Sequence, residues 1–551
     1  MLRRLARTHP ADPPPAMMKS YMRPPRDLTR SSADEARFRA AAGACYNLCA
    51  VTSARPPDTG DVESFGYRQE LARNLGSFSS FAAGFSYISI LTGMFQMFHL
   101  GFAAGGPAFF WSWPMVLAGQ FLVALCFAEL AACYPLSGGV YQWSKYVGNW
   151  LVGFLTGWIY LACLIVTLAA VALAMQSALP PLWSGFQIVA TGEARDTAVN
   201  AVLLGCMLLT ASTFINAFGV RLLAAINNAG VISELAGVVV LILLLARHAV
   251  RPMSDAVLPT MGRGTGSAYV GPFLAAAALT ASYVMYGFDT AGSLAEETHD
   301  PRRRAPRAIL QALGAAGISG MLVLLFTLRA APDLRDPMLA TAEGGLPHVV
   351  KLVLGAGLGR ILLCDVAFAI FVCTLSVHTG TVRVMFAMAR DGKLPFSGAF
   401  AKVSRATRTP VIPAVAVGAG AILILVINVK YPKIVELITA VAILWANLAY
   451  LLVVAAMLWQ RLSGKTEARQ DGFSLGRFGL AVNVLALFWS AFMVVNVSWP
   501  RAAVYGEENR FAAVRYTATL AAAGGIWFFC FARKKRGIMS AEVQVSSSCI
   551  R

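Results

Sequence analysis

Charged residues are scarce in this chain. Asp, Glu, Lys and Arg make up 13% of its 551 residues, while 57% are hydrophobic. A soluble domain carries about a quarter charged residues on a solvated surface, so a water-soluble fold is excluded for most of the length. Two motifs of common enzymes are missing too: there is no H-E-x-x-H and no G-x-x-x-x-G-K-[ST]. Neither H-E-x-x-H zinc hydrolysis nor P-loop ATP-driven work has a motif to rest on. Acidic residues are outnumbered by basic ones, 28 against 46, for a formal charge of +18. No basic cluster sits in a folded soluble module with interleaved aromatics, which argues against nucleic-acid binding; membrane topology and attraction to anionic lipid account for the excess. Ten cysteines include no C-x-x-C pair, and Cys126, Cys163, Cys206, Cys364 and Cys373 fall in apolar runs. They read as small packing residues and not as a metal site or a disulfide framework.

What the chain does have is apolar length. At roughly 20 residues per crossing, twelve spans are expected, centred on about 79–98, 109–131, 150–175, 198–217, 226–246, 270–294, 308–328, 361–386, 411–428, 433–458, 478–497 and 514–532. The fold class is therefore all-α and polytopic, with no room for a second folded domain. Residues 1–67 hold no comparable run and mix Arg with Pro pairs, which reads as a disordered cytoplasmic tail; Met17, Met18 and Met22 are equally good starts. The apolar stretch Ala40–Cys45 is too short and too late for a signal peptide, so the first span is expected to be the uncleaved insertion signal. Lys and Arg fall in excess on the side that shares the N-terminus, in clusters such as Arg302-Arg303-Arg304 and Arg533-Lys534-Lys535-Arg536. Both termini are predicted to be cytoplasmic, the second as a tail over 533–551.

Two spans are interrupted in matching ways, at Gly84–Gly93 and at Tyr286–Gly292, where Gly, Ser and Thr replace the apolar pattern. A break in a membrane helix frees backbone groups that hydrocarbon cannot satisfy, so it must line a polar cavity within the protein. Two breaks at corresponding positions of two repeats point to a substrate site.

Four motifs in order carry a family resemblance: Leu75 to Gly93 (LGSFSSFAAGFSYISILTG), Ala128-Glu129-Leu130 with Tyr134 to Trp143, Tyr286 to Arg307 (YGFDTAGSLAEETHDPRRRAPR), and Arg383 to Pro395 (RVMFAMARDGKLP). Over about residues 68–530 the chain resembles the amino acid–polyamine–organocation permeases, and its first run is most similar to the amino acid/choline transporter branch that includes GABA permeases. The resemblance implies a LeuT-like core of ten helices in two inverted five-helix repeats, about 79–246 and 270–458, with broken helices one and six. Two further helices follow over about 478–532, completing a permease domain at 68–532.

At the first break, the N–H groups of the following half-helix and its dipole suit a substrate carboxylate, and Ser86, Ile88, Ser89, Thr92 and Gly93 are placed there. At the second, the carbonyls from Tyr286 through Gly287 and Phe288 to Asp289 and Thr290 are expected to receive a substrate ammonium, with Tyr286 or Phe288 offering an aromatic face. Against this stands the common use of Gly and Ser for close helix packing.

Ionisable groups in spans are costly and tend to be functional. Glu234 stands alone in the fifth span, where some members of the resembled family carry Lys. A carboxyl held out of water is able to take and release a proton, which makes Glu234 a proton-coupling candidate; the bland alternative is a neutral structural acid. His378 is a titratable candidate or an interhelical hydrogen-bonder, and Ser376 and Thr379 offer hydroxyls for a sodium site. Glu296 and Glu297 with Arg302, Arg303, Arg304 and Arg307 are expected to form an inner gate. Glu129 reads as a loop-backbone partner and Asp365 as a residue near the outer interface.

These readings converge on a carrier in the plasma membrane with no enzymatic role, no cofactor and no bound metal, driven by a proton, sodium or substrate gradient. The expected activity is transport of amino acids or related amines by alternating access, with proton symport ahead of exchange and of choline or polyamine transport. A channel would need a continuous wetted pore, and a transporter-like nutrient sensor would bind without flux. The implied partners are the substrate and the bilayer.

Overall fold

A run that crosses hydrocarbon must satisfy its backbone groups internally, and each apolar run here does so as a helix. The structure, a computed structural model, describes residues 60–534 apart from 194, 219, 255–266, 405–407, 430–433, 465–471, 502–506 and 508. The tails expected at either end lie outside these residues except for 60–67 and 533–534.

Among the described residues, nine helices are long and apolar enough to cross a membrane, and one of these, Ser77–Cys133, runs for 57 residues. That run contains two crossings. The first is Ser77–Ile88 followed by Ile90–Gly105, and the second is Ser112–Cys133. Trp150–Leu173, Asp196–Phe218 and Val220–Arg247 complete the first five spans. The sixth is the interrupted one: Ser267–Ala276, a π-helical turn at Ala277–Ala281, Ser282–Val284, and then a short helix at Thr290–Ser293. Pro301–Ala330, Gly345–Arg390, Val411–Asn428 and Ile434–Leu462 follow as spans seven to ten. Gly479–Ser498 and Ala512–Cys530 are the eleventh and twelfth. Each of the twelve expected crossings thus finds helical residues; ten lie in the nine long apolar helices, and the sixth and twelfth are not among them.

Helices of one half pack on their counterparts in the other: first on sixth, second on seventh, third on eighth and fourth on ninth. The third also packs on the tenth, and its counterpart the eighth on the fifth. This is the pairing pattern that two repeats related by a two-fold axis produce. Two short helices repeat it as well. Gly139–Val147 follows the second span and Gly345–Gly355 the seventh, the latter turned into its span by the non-helical Gly355.

One boundary differs from the sequence reading. Residues 60–67 were counted with the disordered tail, yet Gly60–Glu63 is helical and Val62 and Tyr67 are buried against Leu136 in a small apolar cluster. This apolar contact and the hydrogen bond from the Tyr67 hydroxyl to Asp391 at 2.8 Å bind the short stretch to the bundle.

Candidate functional site

The first break is a single residue. Ser89 lies between two helices with φ 34° and ψ 98°, a conformation that few non-glycine residues adopt. Its hydroxyl group is held from both sides. Ser89 Oγ donates to Glu234 Oε1 at 2.8 Å and lies 2.6 Å from Thr92 Oγ1, which completes a donor chain from Thr92 through Ser89 to the carboxylate. Leu91 N also donates to Glu234 Oε1, at 3.3 Å, and Thr92 N to Ser89 Oγ, at 3.4 Å. The fifth-span carboxylate therefore caps the positive end of the second half-helix, where a negative charge is stabilised. The sequence reading left this helix end open to a substrate carboxylate; the protein's own acid occupies it. Ile88 and Ser86 are buried beside the break, and Ser86 Oγ has no hydrogen-bond partner.

Gly93 does not line a cavity. Its N–H closes an intrahelical bond to Ser89 O, and an added Cβ would meet Val284 Cγ2 at 2.5 Å. The close-packing use of glycine is the one realised here, because the first span crosses the sixth at this level.

The second break spans residues 285–289, with Gly287 at φ 87°. Only glycine fits, since a Cβ there would lie 1.8 Å from the Tyr87 ring. Gly287→Ala is expected to cost about 1–2 kcal/mol in the backbone alone and to push Tyr87 aside. Its melting temperature in detergent should fall below that of the wild type, and Tyr87→Ala in the same chain should narrow the gap. Equal melting of Gly287→Ala and wild type would rule out the close approach.

Asp289 is buried beneath this break. Tyr160 of the third span donates to its Oδ2 at 2.6 Å and Tyr450 of the tenth to its Oδ1 at 2.5 Å, while Gly287 N donates to the Tyr450 hydroxyl at 2.9 Å. Tyr286 reaches Thr167 through its hydroxyl at 2.8 Å, and the Phe288 ring packs on Phe127 and Tyr450. Thr290 is buried, with its N–H bonded to Gly287 O. The two breaks meet where the Tyr87 and Tyr286 rings lie edge to face at 6.1 Å.

The other coupling candidates are not at the breaks. His378 contacts Ser212 through Nδ1 at 3.0 Å and Ala414 O through Nε2 at 2.9 Å, which ties together the fourth, eighth and ninth spans. Ser376 donates to Asn227 and Thr379 to Asn216. Asp365 accepts from Ser233, next to Glu234 in sequence. Glu129 pairs with Arg461 of the tenth span and not with loop backbone.

The charged cluster at the end of the bundle that carries Gly60 is real, but its basic partners differ. Glu297 takes a two-pronged contact from Arg383 at 2.7 and 3.0 Å, and Glu296 one from Arg390 at 2.8 and 3.2 Å while also accepting Ser137 N. Arg303 and Arg307 are exposed, and Arg302 donates to the carbonyls of Ala132 and Cys133. Closeness in sequence favoured the arginines of the seventh span. The start of that helix turns Arg303 and Arg307 outward, and the end of the eighth span supplies the pairs.

Beside these pairs sits a third buried one that sequence reasoning missed. Lys145 Nζ lies 2.8 Å from Asp391 Oδ2, both side chains fully buried. Tyr67 and Tyr141 also donate to Asp391, at 2.8 and 2.7 Å, and the Arg390 guanidinium covers the Tyr67 ring at 3.9 Å. Burial pulls the Lys145 ammonium below its ordinary pKa against the pull of Asp391, and it lifts the Tyr67 hydroxyl. Asp391 and Tyr141 both lie in the motifs quoted above, so a signal was present. Tyr160 and Tyr450 were legible only as lone polar tips in apolar runs.

The sequence model of the amino acid permease family matches residues 75–520. Amino-acid permease BAT1 of Arabidopsis thaliana is 28% identical over 501 residues, covering 86% of this chain and 95% of that protein. Amino-acid permease 2 of Neurospora crassa is 26% identical over 500 residues, 86% and 88% of the two chains. The branched-chain amino acid permease BcaP of Bacillus subtilis is 29% identical over 355 residues, 62% and 72%. Among solved structures, MhsT in complex with L-phenylalanine superposes with a TM-score of 0.53 at 13% identity, covering 78% of this chain and 98% of that one, so the LeuT-like fold is shared. With broken helices one and six, paired halves and this match over most of its length, the chain is an integral multi-pass membrane protein that belongs to the amino acid permease family of the amino acid–polyamine–organocation superfamily.

Proposed function

We propose that this protein is a secondary active carrier of amino acids or related amines such as GABA, working by alternating access and coupled to protons. The observation that carries the reading is the Glu234 carboxylate seated on Ser89 and Leu91 N at the first break. An ionised acid holds these donors through charge-assisted bonds and a neutral one holds them weakly. Protonation of Glu234 then frees the half-helix N-terminus for the substrate's carboxylate, so proton and substrate favour each other's binding, which is the thermodynamic content of symport. Asp289, Tyr286 and the carbonyls of the second break face the amine end. The relatives named as amino acid and branched-chain amino acid permeases support the substrate class.

The ion pairs Glu296–Arg390 and Glu297–Arg383 act as the gate on the side of the termini, which we assign to the cytoplasm with the carrier in the plasma membrane. The carrier needs no cofactor and performs no catalysis. Uptake of radiolabelled amino acids, GABA, choline and putrescine into proteoliposomes, with and without an inside-alkaline gradient, tests the reading. Accumulation driven by the gradient is expected. Flux only into preloaded vesicles would make the protein an exchanger, and binding without flux a sensor.

A further inference from the structure

Asp289 presents an electrostatic problem that the hydrogen bonds around it solve only in part. Its side chain lies at the second break, 1% exposed, and its two oxygens take one phenol hydroxyl each, from Tyr160 and Tyr450. An ionised carboxylate has about four acceptor sites, so hydrogen-bonding capacity is left over. A charge this deep in a membrane protein is costly unless it is paired. The Lys and Arg pairs described above all sit at the far end of the bundle with Glu296, Glu297 and Asp391, or between Arg461 and Glu129.

A second observation points the same way. The Tyr87 ring lies on Gly287, two residues from Asp289, and its hydroxyl group is buried without a hydrogen-bond partner. A phenol oxygen accepts a hydrogen bond as readily as its proton donates one. Around the same point stand the rings of Tyr286 and Phe288, whose faces attract cations. A spare carboxylate acceptor, an unpaired phenol and aromatic faces together suit one ligand group: a primary ammonium, which carries three donors and a positive charge.

We infer that Asp289, with Tyr87 as a second acceptor, is the seat of the substrate's ammonium group, so that the amine is the part of the substrate the site requires. This deepens the transport reading and rests on it, and it assigns to a carboxylate a role expected above of unwound carbonyls. Tyr160 and Tyr450 are positioning residues that hold the carboxylate from the third and tenth spans. The amine arrives with the positive charge that the site lacks, and the carboxylate of an amino acid is recognised separately at the first break.

Equilibrium binding to the purified full-length protein separates this inference from the transport reading. Tritiated GABA, L-arginine and L-leucine serve as probes, with putrescine as an amine lacking a carboxylate and butyrate as GABA without its amine. The wild type is expected to bind at least one tritiated probe, with putrescine competing and butyrate failing to compete. Asp289→Asn keeps the shape and one acceptor, and it should weaken binding of the amine probes about tenfold or more, the usual scale for losing a charge-assisted hydrogen bond. Tyr87→Phe, which deletes a hydroxyl that supports no other group, should weaken the same probes severalfold with an unchanged melting temperature. Butyrate competing as well as GABA, or amine affinity unchanged in Asp289→Asn, overturns the inference and leaves the transport reading standing. No binding of any probe by the wild type overturns both.

Discussion

In Glu234→Gln, accumulation driven by an inside-alkaline gradient is expected to disappear while counterflow of substrate between two loaded compartments continues. Glutamine keeps an oxygen for Ser89 Oγ and Leu91 N to donate to, so the fold of the first break is preserved. What it removes is the carboxyl group proposed to exchange the proton. With one proton moved per substrate, a carrier concentrates its substrate up to about tenfold per pH unit, because one unit is worth about 1.36 kcal/mol. The wild type should approach that ratio and the variant should stop at equal concentrations on the two sides. A variant that still concentrates substrate with the wild-type pH dependence would remove Glu234 from the coupling mechanism.

The largest effect on stability is expected at Lys145. Its ammonium sits against Asp391 at 2.8 Å with neither side chain exposed, and it lies over the rings of Tyr67, Tyr146 and Trp150 at 4.8–5.2 Å. Removing one member of a buried ion pair leaves an uncompensated charge and costs about 3–5 kcal/mol. Lys145→Met should therefore lower the unfolding temperature more than any surface substitution. Adding Asp391→Asn should recover part of the loss, since it removes the stranded charge and leaves an oxygen for one of the Tyr67 and Tyr141 hydroxyls, while its NH2 group donates to the other. Thermal unfolding of the detergent-purified single and double variants measures both. A double variant that melts below the Lys145→Met single would show that the charge is not what destabilises the single.

The twelve crossings and the two breaks were legible because they depend on local composition. Apolar length marks a span, and Ser89 and Gly287 mark places where a helix cannot continue. Glu234 was legible as a lone acid, but not its seat on Ser89, 145 residues away. The same limit hid the partners of Asp289: Tyr160 and Tyr450 lie 129 and 161 residues from it in sequence and meet it only because the third and tenth spans flank the sixth. The charged cluster around Glu296 and Glu297 shows the error that follows from trusting proximity along the chain. Arg302 and Arg303 stand a few residues from Glu296 and Glu297, but helix geometry points Arg303 into solvent and brings Arg383 and Arg390 from almost a hundred residues away. Gly93 fell on the packing side of a choice that composition alone leaves open.

The cross-pairing of the two halves has a consequence for how the chain is assembled. The first five helices find their main neighbours in the second five, with the third against the eighth and the fourth against the ninth. A ribosome delivers the first half well before those neighbours exist, so its small-residue and polar faces must wait in the bilayer until the second half is inserted. Such long sequence separation slows folding and exposes intermediates. Neither half is a unit that stands alone, yet two fragments cut between the fifth and sixth spans carry complementary surfaces and should reassemble when made together.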